Sequence, residues 1–469
     1  MGATRTGCLS ILVLSCLGCG ASGDGAAADP AARDGAPGPT SAAASLVLRG
    51  VTVLSPIDGA RHSGQTVSIA GERIVGVEPE DAARVPAGAT VVDGAGLFLI
   101  PGLWDFHTHF SDADPNAPPL MVTQGVTGAR DLGGDLYVLD ALRDRIRSGE
   151  VLGPRIARAG PTLNGAPNAP HHRVIDTPES AREAVADLMS KGVDLLKTHN
   201  ATEREPYFAL LEAASAAGLD VVGHVPVGIS PLEACEAGQA SIDHIATIFE
   251  GVYLARFSSD MEAFQSMSAW IENEAPSLVD CCSRHGTLFV PTLFTYYFRA
   301  HRAAFYDEPP EGWRYLTAAN QAAFREQLTP SEMDRNPQVI ALRASLVDVG
   351  KTLTRLLHEA GAPIGAGTDF GVGGLVPGFA LHREIELLVE AGLPEHAAIW
   401  ASARGPGERA GADPLTGRIE TGAPADLVLL RADPFAAIEG LGSIEAVIVG
   451  GRLVDRAELD WVLAELAAS

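Results

Sequence analysis

The chain has 469 residues, of which 46% are hydrophobic and 20% charged, a globular composition with apolar material for one large domain or two ordinary ones. Against 34 lysines and arginines stand 59 aspartates and glutamates, a formal net charge of -25. Such a surface repels a phosphate backbone, which sets nucleic acid aside as a partner.

In chain order, residues 1–19 read as a signal peptide. Arg5 precedes an apolar run over 8–14 that is too short to span a bilayer. It leads into Ser15-Cys16-Leu17-Gly18-Cys19, small residues before cysteine as at a bacterial lipoprotein processing site. Cys19 is the expected lipidation site; Cys16 fits about as well, and plain secretion is the alternative. The expected location is extracytoplasmic, in the bacterial periplasm or outer membrane as a lipoprotein, or secreted. Residues 20–44, rich in Ala, Gly, Pro and Asp without hydrophobic period, read as a flexible tether. Of the remaining cysteines, Cys235, Cys281 and Cys282 show no disulfide framework and no metal-type spacing. Three cysteines cannot all pair internally, and Cys281 and Cys282 read as two unpaired helix cysteines, with an adjacent Cys281–Cys282 bridge as the strained alternative.

From Ser45 short apolar runs alternate with turns at Asp58-Gly59 and Gly71-Glu72, and similar runs return after Asp426. Residues 45–100 and 406–469 are expected to combine as one small β-sandwich. Between them lie apolar runs at 98–107, 126–131, 155–159, 193–197, 221–225, 241–244, 288–291 and 363–369. Helical stripes separate several of these: Thr177-Pro178 opens one, and Ser230 with Glu233 has capping-box spacing at another. Eight strand-like runs with helices between them give the expected α/β fold, a (β/α)8 TIM-like barrel over 101–405. The stretches 246–285 and 292–360 exceed a simple crossover and read as helical insertions over the barrel mouth.

The strongest local motif is Pro101-Gly102-Leu103-Trp104-Asp105-Phe106-His107-Thr108-His109. Residues two apart on a strand face the same way, so His107 and His109 can share an ion. Buried histidines bonded to backbone are the bland alternative. Lys197, His224, His244 and Asp369 stand at or near the ends of four further runs, at the edge of a barrel where such folds keep their chemistry. Singly each has a structural reading, as core histidine, ion-pair partner or helix cap. Together they are hard to explain that way.

On these motifs, and on Gly223-His224-Val225-Pro226, the Gly238 to His244 run, the helix from Leu381 and the tail from Gly417 to Leu430, the chain resembles the amidohydrolase superfamily. The likeness runs from about Ser45 to the C-terminus and is similar in detail to the imidazolonepropionase-like and Xaa-Pro dipeptidase-like branch. The resemblance implies a centre of two divalent ions, zinc by expectation. His107, His109 and Asp369 would hold one, His224 and His244 the other, and Lys197, carboxylated by CO2, would bridge them. It implies hydrolysis of a carbon–nitrogen bond in a small amide or peptide by a bridging hydroxide, with Asp369 as general base. A protonated lysine beside two dications is electrostatically disfavoured, which agrees with a carbamate.

His199 reads equally as a substrate contact or as polar filling at a strand end, and His171 and His172 are further candidates for substrate contact. Tyr296, also a candidate, and Tyr297 read as a pocket wall or as aromatic core, and His382 as facing solvent or supporting a ligand rather than ligating. The loop holding His171 and His172 departs from the glycine-rich histidine loop of the dipeptidases. Two other readings stay open: a mononuclear cyclic amidase, deaminase or lactonase, and a non-catalytic surface binding protein on the same scaffold. The partner is a small molecule, with membrane contact only through the lipid anchor; homo-oligomerisation is left open.

Overall fold

Alternating apolar residues at both ends of the chain generate strands that need a common partner layer. The structure is a computed structural model and describes residues 44–468, apart from 168, 250–266, 268, 372–373 and 406–411. The signal-peptide, tether and lipidation expectations, with Cys16 and Cys19, lie outside the described residues. Leu46–Leu54 pairs with Arg61–Ala70 and, on its other edge, with Thr90–Asp93 and then Phe98–Pro101. Leu427–Leu430, Ile444–Val449 and Arg452–Asp455 continue from Phe98–Pro101, so strands from both ends occupy one eight-stranded mixed sheet. Alternate residues Leu48, Val51, Ile69, Leu427, Leu429 and Ile448 fill its core.

The run 98–107, read as one strand, is two. Phe98–Pro101 stays in that sheet and Leu103–Thr108 begins the parallel part of the fold. The break falls at Gly102, where a Cβ would lie 2.1 Å from Thr127 Oγ1, so only glycine lets the chain pass.

Leu103–Thr108, Val126–Asp131 and Arg155–Arg158 form a three-stranded parallel sheet. His172–Val174, Thr162–Asn164, Leu196–Thr198, Val221–Gly223, Ser241–Asp243 and Leu288–Val290 form a second, six-stranded one. The chain changes sheets at Gly160-Pro161: Gly160 has φ 71°, proline offers no donor, and beyond them Leu163 pairs with Thr198. The run 363–369 is not a strand. It makes only the bridges Phe289–Ile364 and Thr108–Phe370, with bonds from Phe106 N to Ala366 O (2.9 Å) and from Asp369 N to His107 O (2.8 Å). Gly367 is pressed against Val290 and His107, and Asp369 has φ 62°, which turns the backbone out of a regular ladder. The sheet pairing therefore gives two parallel sheets, with the eighth run joined to the first and seventh by isolated bridges in place of a regular strand.

Helices cover these strands through a large apolar cluster. Pro178–Ser190 begins in a capping box on Thr177, and Pro231–Glu236 in one on Ser230 and Glu233. The expected insertions contain Ala275–His285, Leu293–Ala300, Arg302–Asp307, Ala318–Leu328 and Pro337–Glu359. Cys235 and Cys281 are joined by a disulfide, which corrects the reading of unpaired cysteines; Cys282 is a buried free thiol. Side-by-side packing of the two helices, invisible at a separation of 46 residues, brings the sulfurs together. No described helix is long and apolar enough to cross a membrane.

One buried carboxylate holds this layer to the site. Glu384, in the helix Phe379–Glu390, accepts the backbone N–H groups of Leu293 (3.0 Å) and Phe294 (2.7 Å), the first residues of their helix. Burial pushes its pKa up to about 8, from an ordinary 4.5. Between these values the folded chain keeps a proton that the unfolded chain has released, so the group's contribution to stability is lost as pH rises. Urea unfolding of wild type and Glu384→Gln at several pH values from 5 to 8 should show the wild type's relative stability falling with pH, by on the order of 1 kcal/mol per unit. Parallel profiles would contradict this account of Glu384.

Candidate metal centre

The six ligand-type residues come from the C-terminal ends of the parallel runs. His107 is in Leu103–Thr108 and His109 follows it; Lys197 is in Leu196–Thr198; His224 and His244 each follow a strand directly; Asp369 ends the irregular eighth run. His109 Nε2 lies 3.2 Å and His107 Nε2 3.6 Å from Asp369 Oδ1. Lys197 Nζ is 3.3 Å from His107 Nε2. The His107 and His244 rings are 4.3 Å apart, and those of His224 and His244 4.7 Å. His107, His244 and Asp369 offer ligand atoms that all lie within 4.8 Å of one another.

Backbone strain aims two of these groups. Among the described residues the non-glycine residues with positive φ are His244 (71°), Thr292 (50°) and Asp369 (62°), all at this site. Neighbours on a regular strand face opposite ways. The turn at His244 instead lets Asp243 and His244 both reach His107. Thr292 Oγ1 then meets His244 Nδ1 at 3.0 Å, which leaves Nε2 to face the cluster.

Beneath the six candidate ligands lies a buried polar layer that the sequence did not reveal. Arg130 donates to both carboxylate oxygens of Asp243 (3.1 and 2.9 Å), to Ser241 Oγ (3.1 Å) and to Phe106 O (2.6 Å). Asp243 Oδ2 stands 3.0 Å from His107 Nδ1, though that nitrogen is off the line of a hydrogen bond. Asp105 accepts from Thr368 Oγ1 (2.6 Å) and from the backbone N–H of His107 (3.1 Å), tying the first run to the one that carries Asp369. Gly223 makes room for Lys197: a Cβ there would lie 2.4 Å from Lys197 Cδ.

Burial sets the protonation states of three of the histidines and of the lysine, whereas at His109 burial is outweighed by the Asp369 carboxylate, which raises the pKa. Burial drives the pKa values of His107, His224 and His244 well below 6.5, with Lys197 or a neighbouring histidine adding repulsion. Lys197 is pushed down to about 8 by burial, although Asp243 and Asp369 oppose the shift. Neutral imidazoles keep a lone pair for a cation. The buried Nδ1 of His224 has no hydrogen-bond partner among the described residues, an otherwise costly state. This donor set fits divalent metal of the zinc type.

The other candidates separate. The His199 ring stacks on His224 (4.1 Å) and lies 5.2 Å from that of His172, so both extend the histidine cluster outward. Burial pushes His199 down to about 3. His172 is steadied by Asn164 (3.2 Å), whereas His171 lies 3.6 Å from Asp112 instead. Tyr297 stacks on His301 and Tyr296 lies under Arg299. His382 Nε2 is 2.8 Å from Gln124 O, away from the cluster.

The amidohydrolase family model matches residues 98–454. Imidazolonepropionase of Anaeromyxobacter dehalogenans is 26% identical over 426 residues, 82% of this chain and 90% of that protein. Adenine deaminase 3 of Rhizobium meliloti is 25% identical over 49% of this chain, and the match spans 40% of that longer relative. The fold is shared with bottromycin amidohydrolase, at TM-score 0.72, 23% identity and coverage of 90% of this chain and 89% of that one. A prolidase candidate from Bifidobacterium longum superposes at TM-score 0.63 with 27% identity, covering 90% and 99%. On the match to residues 98–454 and the fold that carries it, the chain belongs to the amidohydrolase family.

Proposed function

We propose that this protein is a metal-dependent hydrolase that cleaves a carbon–nitrogen bond in a small amide or peptide, on a (β/α)8-type circuit with a binuclear centre. The observation that carries the reading is the buried group of His107, His244 and Asp369, with Lys197 Nζ 3.3 Å from His107 Nε2. His107, His109 and Asp369 would hold one ion and His224 and His244 the other. Divalent ions, zinc by donor type, would supply Lewis acidity and make bound water acidic near neutral pH.

The residues prepare the rest. With its pKa lowered to about 8, Lys197 offers more neutral amine than an exposed lysine, and that amine adds to CO2 with loss of a proton to give a carbamate. The carbamate replaces a cation with an anion where positive charge would collect. Asp369, kept against His109 and His107, is placed to take a proton from the attacking water and return it to the leaving nitrogen. The floor under the site is the buried Arg130–Asp243 pair, which leaves both charges compensated. Dipeptides and N-acyl amino acids are the substrate classes proposed first, supported by the likeness to the prolidase candidate. The Cys235–Cys281 bridge supports the proposed extracytoplasmic location, since such bonds persist in oxidising compartments.

A second reading, a mononuclear deaminase or cyclic amidase, draws on the compact three-ligand group and the likeness to adenine deaminase 3. Metal content separates the two.

The test is a hydrolysis screen of zinc- and bicarbonate-treated protein against dipeptides, N-acyl amino acids, cyclic amides and purines, with and without chelator. Chelator-sensitive release of amine from an open-chain amide supports the first reading; release of ammonia from a purine supports the second. Asp369→Asn should retain metal and lose turnover by at least about 100-fold, since it removes the proton acceptor; unchanged turnover contradicts the role. Gly223→Ala should displace Lys197 and reduce bound metal per chain, read by elemental analysis; full metal content would show that Lys197 has other room.

A further inference from the structure

The helix Leu293–Ala300 leaves the metal centre carrying polar residues on one face. Thr292 Oγ1 meets His244 Nδ1 at 3.0 Å, and Thr295 Oγ1 donates to Thr368 O (2.6 Å), beside Asp369. Positions 292, 295, 296 and 299 recur at helical spacing, so Tyr296 and Arg299 continue the stripe that begins at the ligands. At about 1.5 Å per residue Arg299 starts about 10 Å from Thr292 along the axis. Helical side chains lean toward the N-terminus, here back toward the site. That lean is observed: the guanidinium carbon of Arg299 lies 5.6 Å from the centre of the Tyr296 ring, one turn earlier.

Arg299 is exposed and, among the described residues, forms no ion pair. Its neighbours are committed elsewhere: Arg302 to the carbonyls of Gln327 and Leu328, Arg383 to Glu386 and Glu390. A chain with a net charge of -25 repels anions at long range, so an anionic substrate needs a local cation at the mouth. A planar guanidinium braced on an aromatic ring suits a carboxylate, which it can bind with two parallel hydrogen bonds.

We infer that Arg299, braced on Tyr296, receives the free carboxylate of a substrate whose scissile amide nitrogen lies against the His107–Asp369 cluster. The substrate is then an N-acyl amino acid or a dipeptide, not an uncharged amide. This inference rests on the carbon–nitrogen hydrolase reading for the position of the scissile bond, but binding alone tests it. Wild type, Arg299→Gln and Arg299→Lys are titrated calorimetrically with a panel of N-acetyl-L-amino acids and the matching carboxamides, and cleavage is followed in parallel. Arg299 is exposed, so the variants should fold as wild type does.

The expected result is wild-type preference for at least one acid over its carboxamide by about tenfold or more, the scale of one charge-assisted contact. Arg299→Gln should abolish the preference and Arg299→Lys restore part of it. In cleavage, Arg299→Gln should raise KM for the acid while leaving the carboxamide unchanged. Equal affinity for acid and carboxamide in wild type across the panel, or a preference that survives in Arg299→Gln, overturns the inference. Acid-selective binding without cleavage would uphold Arg299 and count against the hydrolase reading instead.

Discussion

Three histidine rings, a lysine and a carboxylate share one largely water-free space, and none of them would settle there alone. Burying a polar group without a partner costs on the order of 1–3 kcal/mol, and a charged one more. His107, His224 and His244 therefore stay neutral, and Lys197 moves toward neutrality. Left-handed backbone at His244, Thr292 and Asp369 adds on the order of 1–3 kcal/mol each. A fold keeps such a group when its surroundings allow no cheaper arrangement.

Those surroundings are specific. Arg130 and Asp243 form a bidentate pair under His107, and Asp105 ties Thr368, next to Asp369, to the strand bearing the histidine pair. Glu384 closes the N-terminus of the helix that begins beyond Thr292, whose hydroxyl meets His244. Gly223 is absent a side chain because Lys197 fills the space. Parallel strands supply the rigid frame, and their C-terminal ends carry the candidate ligands. The same frame projects Arg299 outward from the Thr292 turn, linking the proposed chemistry to the proposed substrate charge.

Much of the candidate cluster was legible because its residues stand at the ends of apolar runs, a position that fixes where a side chain goes without knowledge of its contacts. His107, His109, Lys197, His224, His244 and Asp369 could be picked out on that ground. Contacts between distant segments were not legible. Nothing local distinguishes His172, beside His199, from His171, beside Asp112. Asp243 faces inward with Ser241 by ordinary alternation, which would point His244 away; the φ of His244 brings its ring back to the same space. The Cys235–Cys281 bridge depends on two helices meeting, and the split of 98–107 on a glycine passing Thr127. Arg299 looked like any surface arginine until the contacts of Thr292 and Thr295 showed which face of its helix is turned to the site.

The central claim is that the buried cluster is a binuclear centre bridged by a carboxylated Lys197. Its most direct test is to load the protein with zinc in the presence of 13C-labelled bicarbonate, count ions per chain and record the carbon spectrum. The account expects about two ions per chain and a protein carbamate signal that Lys197→Ala abolishes together with the second ion. A fully active protein with one ion per chain and no carbamate signal would contradict it.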